Sequence, residues 1–265
     1  MFSKKWFLLW GFAAVIAFYA CNSSFLRGFN VFSVEDDIAL GKRVSQQIES
    51  DRQQFPILPE RGNEEVYRYI RGITTKILNT GRIQYKDKFA WEVKIIDDIN
   101  TLNAFATPGG YIYVYTGLIK FLDTEDQLAG VMGHEIAHSD LRHSTRQMTK
   151  AYGISTLLSV ITGKADPGLM EQVALSLVNL KFSRGHETES DEYSVVYLCN
   201  SGYDAAGAAG FFKKLEGSSA PPEFLSTHPD SGNRVVKIEG KAEAMSCAPS
   251  KTNLSRHQQI KNLLR

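Results

Sequence analysis

The chain has 265 residues, 43% hydrophobic and 22% charged, an ordinary globular composition with enough apolar side chains for a buried core. Thirty Lys and Arg against 29 Asp and Glu leave a formal charge of +1. That balance gives no electrostatic basis for binding nucleic acid, which is excluded as a partner.

At the N-terminus, Lys4 and Lys5 precede an apolar run from Trp6 to Ala20, short for a membrane span and of the length of a signal-peptide core. The run ends at Ala20-Cys21, followed by polar Asn22-Ser23-Ser24. A small residue directly before Cys resembles the lipobox of bacterial lipoproteins, although Phe18 and Tyr19 depart from the usual residues there. The resemblance implies a signal peptide over 1–20, lipid on Cys21 and a tether over 21–33. It places the chain in a bacterial envelope, facing the periplasm and anchored to a membrane as a lipoprotein. A retained, uncleaved anchor is the alternative, and both put the remaining chain at a membrane surface. Cys199 and Cys247 are then the only other cysteines. An oxidising compartment permits one disulfide between them, but sequence alone does not bring their Cα atoms together.

Ser33, with Asp36 three residues later, predicts a helix N-cap for Val34 to about Asp51, with Ile38, Val44 and Ile48 on its apolar stripe. After Pro56 and Pro59, the spacing of Val66, Tyr69, Ile70, Ile73 and Ile77 predicts a core-packed helix over 64–78. Ala90 to Ile96 alternates as a strand, and the β-branched and aromatic run Tyr111 to Tyr115 follows a Pro108-Gly109-Gly110 turn, which together suggest a small antiparallel sheet. Thr124 caps a helix with Glu125 and Asp126 in its first turn, and more helices are expected over 142–158, 169–180, 187–201, 205–216 and 229–244. The expected architecture is one mostly helical α+β domain over 34–244, with a frayed tail over 245–265.

Inside the helix that begins at Glu125 lies Gly133-His134-Glu135-Ile136-Ala137-His138, an HExxH pattern. Residues four apart share a helix face, so His134 and His138 can offer imidazole nitrogens to one Zn²⁺, with Glu135 beside them as a base for water. A hydrolytic zinc site needs a third protein ligand from another element. Phe182 to Asp191, about fifty residues on, opens a helix with several candidates, although acidic residues in a first turn are also what the helix dipole selects.

These residues resemble the gluzincin zinc metallopeptidases that include the HtpX-like proteases, the CAAX prenyl proteases and a bacterial lipoprotein subgroup. Four segments carry the resemblance: Asn103-Ala104-Phe105 with Pro108-Gly109-Gly110; HExxH continued by Arg142-His143-Ser144; Glu187-xxx-Asp191 after Phe182-Ser183-Arg184; and Thr227-His228-Pro229 with Arg234. The resemblance implies a zincin-type fold and one zinc ion held by His134, His138 and Glu187, in preference to Glu189. It makes Asp191 the carboxylate that orients a ligand histidine, with Ser190 standing where the pattern has Ala. Glu135 becomes the catalytic base, with His228 and Arg234 near substrate or oxyanion, or His228 capping the zinc in a closed state. Tyr111, Ile112, Tyr113 and Val114 would form an edge strand that receives extended or unfolded polypeptide by strand addition. His143 reads as structural, and His186 and His257 match no pattern. The implied activity is endopeptidase cleavage of unfolded or misassembled envelope proteins. A chaperone-like or latent binding protein is the competing reading.

Overall fold

In the computed structural model, which describes residues 29–216, 223–229, 232–248, 250 and 254–264, the first helix is α1 (Val34–Ser50). The signal segment expected over 1–20 and the expected lipidation site Cys21 lie outside the described residues. Ser33 caps α1 as its sequence predicts: its hydroxyl accepts from the Asp36 N–H, while Asp36 accepts from the Ser33 N–H. The buried stripe of α1 runs through Leu40, Val44 and Ile48, and Ile38 lies outside it at the surface. Helix α2 (Glu64–Leu78) buries Val66, Tyr69, Ile70, Ile73 and Ile77, the set its 3.6-residue period selects.

Three strands follow: β1 (Glu92–Ile96), β2 (Ala104–Thr107) and β3 (Tyr111–Tyr115), in the spatial order β1-β3-β2. The hairpin between β2 and β3 turns at Pro108-Gly109-Gly110, where both glycines take positive φ. The two strands expected to form an antiparallel sheet, 90–96 and 111–115, correspond to β1 and β3, which run parallel; the antiparallel partner of β3 is β2, a strand the sequence did not predict, and the sheet is mixed. This order corrects the edge-strand expectation for Tyr111, Ile112, Tyr113 and Val114. Strand β3 is central, paired from Glu92↔Tyr111 on one side and Ala104↔Val114 on the other, so its backbone is already engaged. Alternation in a sequence identifies a strand but not its neighbours.

Beyond the sheet come α3 (Thr116–Phe121), α4 (Glu125–Asp140), α5 (His143–Ala151), α6 (Ile154–Ile161), α7 (Pro167–Val178) and α8 (Arg184–Leu198). They are followed by α9 (Gly207–Glu216), α10 (Glu223–Thr227), α11 (Arg234–Ala244) and α12 (Leu254–Leu263). The single helix expected over 142–158 is broken, because Tyr152 and Gly153 are extended between α5 and α6. The residues expected as a frayed tail instead contain α12, whose Ile260 and following Leu264 are buried. His257 at 0% exposure stands 2.7 Å from the Tyr69 hydroxyl. Apolar residues at only a few positions of a short segment left that docking invisible in the sequence.

The two faces of β3 divide the core. Ile112 and Val114 pack with residues of α2, α4, α8 and α9, while Tyr113 and Tyr115 pack with those of α1, α6 and α7. From Leu128 onward α4 is buried on every side. A Cβ on Gly130 would lie 2.0 Å from the Ala208 nitrogen, and one on Gly207 would lie 2.1 Å from the Asp126 carbonyl oxygen, so α4 and α9 cross at backbone contact. A disulfide joins Cys199, at the end of α8, to Cys247, just beyond α11. Among the described residues no helix is long and apolar enough to cross a membrane.

Candidate metal centre

The last two turns of α4 carry His134, Glu135 and His138, all buried. The Nε2 atoms of His134 and His138 are 3.0 Å apart, as the one-turn spacing dictates. Ser183 caps α8 by accepting from the His186 N–H, which sets Glu187 in its first turn, facing α4. Glu187 places Oε2 at 3.4 Å from His134 Nε2 and Oε1 at 3.4 Å from His138 Nε2. His228, just beyond α10, sets Nδ1 at 3.3 Å from both Glu187 Oε1 and His134 Nε2. The donor atoms of His134, His138, Glu187 and His228 all lie within 4.8 Å of one another.

These spacings test the fit of a metal. Four ligands at the ordinary zinc distance of about 2.0–2.1 Å stand roughly 3.3 Å apart at the corners of a tetrahedron. Five contacts among the donor residues, at 3.0–3.4 Å with Glu187 engaged through both oxygens, are close to that figure. Glu187 Oε2 and His228 Nε2 are buried without a hydrogen-bond partner. A donor set of imidazoles and one carboxylate suits Zn²⁺, and the site fits a single ion.

The field around the donors is set by burial and by paired charge. Burial opposes the charge on Glu187, but His228, His134 and His138 together hold its carboxyl far below the usual range. Burial likewise disfavours the charged form of His134, but Asp191 and Glu187 outweigh it and hold the ring up at about 9. His138, with less compensation, is pushed well down by burial. Asp191 Oδ1 stands 2.9 Å from His134 Nδ1, the far side of the ring from the donor set, where a carboxylate fixes the tautomer. Burial opposes the Asp191 charge too, and His134 and Arg234 overcome it, keeping the pKa low.

Glu135 faces a different environment. Neither of its oxygens makes a hydrogen bond of normal length, and His228 Nε2 lies 3.5 Å from Oε1. Burial pushes its pKa up, against the pull of His228 and His134. A buried carboxyl with a raised pKa, beside a metal-ligand set, is suited to proton transfer.

Arg234 donates through Nε and Nη2 to the two Asp191 oxygens at 2.7 Å each, and Nη2 is also 3.3 Å from Glu187 Oε2. Its guanidinium lies 4.0 Å over the Phe212 ring, which leaves Nη1 as its unpartnered nitrogen. The remaining family segments support the site from the sheet side. Ser139 of α4 accepts from the Gly110 N–H and donates to the Thr107 carbonyl, binding the metal helix to the β2–β3 hairpin.

Sequence reasoning missed the rings that wall the donors: Phe182 stacks on His138 at 3.9 Å and Phe224 on His228 at 4.2 Å. It also set Glu189 aside as a ligand and read His143 as merely structural. Glu189 stands outside the donor set, 3.0 Å from His143 Nε2, and that contact with His143 is the main cause holding its pKa at about 2. The only available signal was the five-residue step from His138 to His143.

Residues 65–242 match the family model of peptidase family M48. The chain is similar to the mitochondrial metalloendopeptidase OMA1 of Arabidopsis thaliana, with 34% identity over 158 residues, 59% of this chain and 32% of that protein. It is 32% identical over 157 residues to the protein of the same name from Schizosaccharomyces pombe, covering 56% of this chain and 46% of that one. Against the beta-barrel assembly-enhancing protease of Escherichia coli (strain K12) it is 32% identical over 160 residues, 54% of this chain and 33% of that protein. The matched portion thus spans less than half the length of these relatives.

Proposed function

The chain belongs to peptidase family M48, and from that premise we propose that it is a zinc-dependent endopeptidase acting on extended polypeptide. The observation that carries the proposal is the buried cluster of His134, His138, Glu187 and His228 donors with the buried carboxyl of Glu135 beside it. A zinc ion held there supplies Lewis acidity, which makes water a nucleophile near neutral pH and polarises a peptide carbonyl. Glu135 takes the proton from the attacking water and returns it to the leaving amine, a role its raised pKa suits. His228, 3.5 Å from Glu135 through Nε2, donates to the developing oxyanion once it swings clear of the donor set. Arg234 acts mainly by holding Asp191 and Glu187 in place.

With β3 enclosed, the strand best suited to accept substrate is β2, the sheet edge that packs against α4. Backbone recognition of that kind favours unfolded or misassembled proteins. The lipobox-like sequence at Cys21 supports placing the enzyme in a bacterial envelope, periplasm-facing and held at a membrane by a lipid. One relative is named a beta-barrel assembly-enhancing protease, which supports a substrate among misassembled proteins.

A second reading has its own observation. His228 Nδ1 occupies the corner that water needs, which favours a latent state in which His228 closes the site. Zinc content and casein cleavage, measured on wild type, Glu135→Gln and His228→Ala, test both readings. Endopeptidase function predicts about one zinc per chain in wild type and Glu135→Gln, with cleavage reduced roughly 10²–10⁴-fold in the latter. Faster cleavage by His228→Ala supports latency, and slower cleavage supports the oxyanion role. Wild type that is folded but devoid of zinc refutes the metal centre.

A further inference from the structure

The two ligand histidines of α4 differ in what stands behind them. His134 meets the Asp191 carboxylate directly at 2.9 Å. Among the described residues no carboxylate faces the far side of His138; its Nδ1 stands 3.1 Å from Nδ1 of His143, the first residue of α5. We propose that His143 and Glu189 are a positioning pair for His138, in which an imidazole bridge carries the hold of a surface carboxylate to the second metal-ligand histidine. The proposal rests on the zinc reading of the site and assigns work to two residues that reading leaves unused.

One assignment of protons satisfies the line from His138 through His143 to Glu189. His138 turns Nε2 toward the donor set, 3.0 Å from His134 Nε2 and 3.4 Å from Glu187 Oε1. A neutral imidazole that ligates through Nε2 carries its proton on Nδ1, and that N–H needs an acceptor. The atom facing it is His143 Nδ1, which accepts only if the His143 proton is on Nε2. His143 Nε2 lies 3.0 Å from Glu189 Oε2, an acceptor. The Ser190 hydroxyl stands beside this contact, 3.2 Å from His143 Nδ1. Arg146 donates to Glu189 Oε2 at 3.3 Å and fixes the outer end of the relay.

The His143 ring is held as such a bridge must be. It is fully buried, and His186 stacks on it at a centroid distance of 4.4 Å and 13° between planes. Because α5 supplies His143 and α8 supplies Glu189 and Ser190, the relay closes only when both helices dock on α4. Packing alone would require a flat ring at position 143 but would be indifferent to its nitrogens, and it would place no demand on Glu189, whose side chain is 38% exposed.

The test uses the full chain purified in detergent, as wild type, His143→Phe, Glu189→Ala and Glu189→Gln. Phe keeps the flat ring between His138 and His186 and removes the bridge; Gln keeps an acceptor oxygen where Ala has none. Zinc affinity is read by chelator competition, and ring-nitrogen protonation by ¹⁵N shifts of the zinc-loaded protein. The proposal expects protons on His138 Nδ1 and His143 Nε2, a loss of about 10–100-fold in zinc affinity for His143→Phe and Glu189→Ala, and recovery of most of it in Glu189→Gln. Wild-type zinc affinity in folded Glu189→Ala, or a His143 proton on Nδ1, overturns it even if His143→Phe fails to fold. Wild type that binds no zinc removes the metal reading itself, an outcome distinct from variants that bind as tightly as wild type.

Discussion

Replacing Arg234 with Met separates two roles for that residue. The arginine is 4% exposed, binds both Asp191 oxygens at 2.7 Å and reaches Glu187 Oε2 at 3.3 Å. Methionine retains the contact with Phe212, since its thioether also packs well on an aromatic ring, so the change isolates the charge. Two buried carboxylates then lose their cation. Breaking a buried ion pair from one side costs about 3–5 kcal/mol, which lowers the melting temperature of a domain this size by roughly 6–20 °C. Asp191, no longer held low by the guanidinium, takes up a proton more readily and releases His134 Nδ1, so zinc affinity falls by about 10–100-fold. Arg234→Lys recovers charge but not the two-pronged geometry, and falls between the two. Thermal melts of metal-free protein and chelator competition measure both effects. An arginine that served only to touch substrate gives the opposite pattern: melting within about 2 °C of wild type, unchanged zinc affinity and a loss confined to kcat/KM. That result refutes the structural role argued for Arg234.

Four further outcomes concern other parts of the molecule. In metal-free protein the His134 pKa is raised from 6.5 to about 9, so its stabilising contribution is full below 6.5 and is lost as pH rises to 9; metal-free protein should melt earlier at pH 9 than at 6.5. Zinc needs the neutral ring, so binding near pH 7.5 releases about one proton from His134, which calorimetry in buffers of different ionisation heat detects. Gly130→Ala places a Cβ 2.0 Å from a backbone nitrogen of α9, forcing two helices apart one turn before His134; denaturant melts should show a loss of about 1–3 kcal/mol or more. Reducing the Cys199–Cys247 bond, which spans 48 residues, removes up to about 4 kcal/mol on the chain-entropy account, and a melt with and without reductant reads it directly.

Much of the site was legible before folding, because its chemistry is local. One helical turn separates His134 from His138, and another separates Glu187 from Asp191, so the periodicity of the α-helix fixed which side chains share a face. Caps at Ser33 and Thr124 were equally readable, since each acts within three residues of its own position. What spans the chain was not. The order β1-β3-β2, which enclosed Tyr111 to Tyr115, depends on which side of β3 receives β1, and alternation carries no information about that. Docking of α12 and pairing of Cys199 with Cys247 depend on surfaces supplied by distant elements. The same holds for His143 and Glu189: each is unremarkable in its own segment, and only the packing of α5 and α8 against α4 brings them into line behind His138. Local periodicity thus determined that His134 and His138 share a face and which helix bears them, and the family resemblance singled out Glu187; long-range packing decided the sheet order, the disulfide and the support behind the histidines, because those contacts join residues that no short-range rule relates.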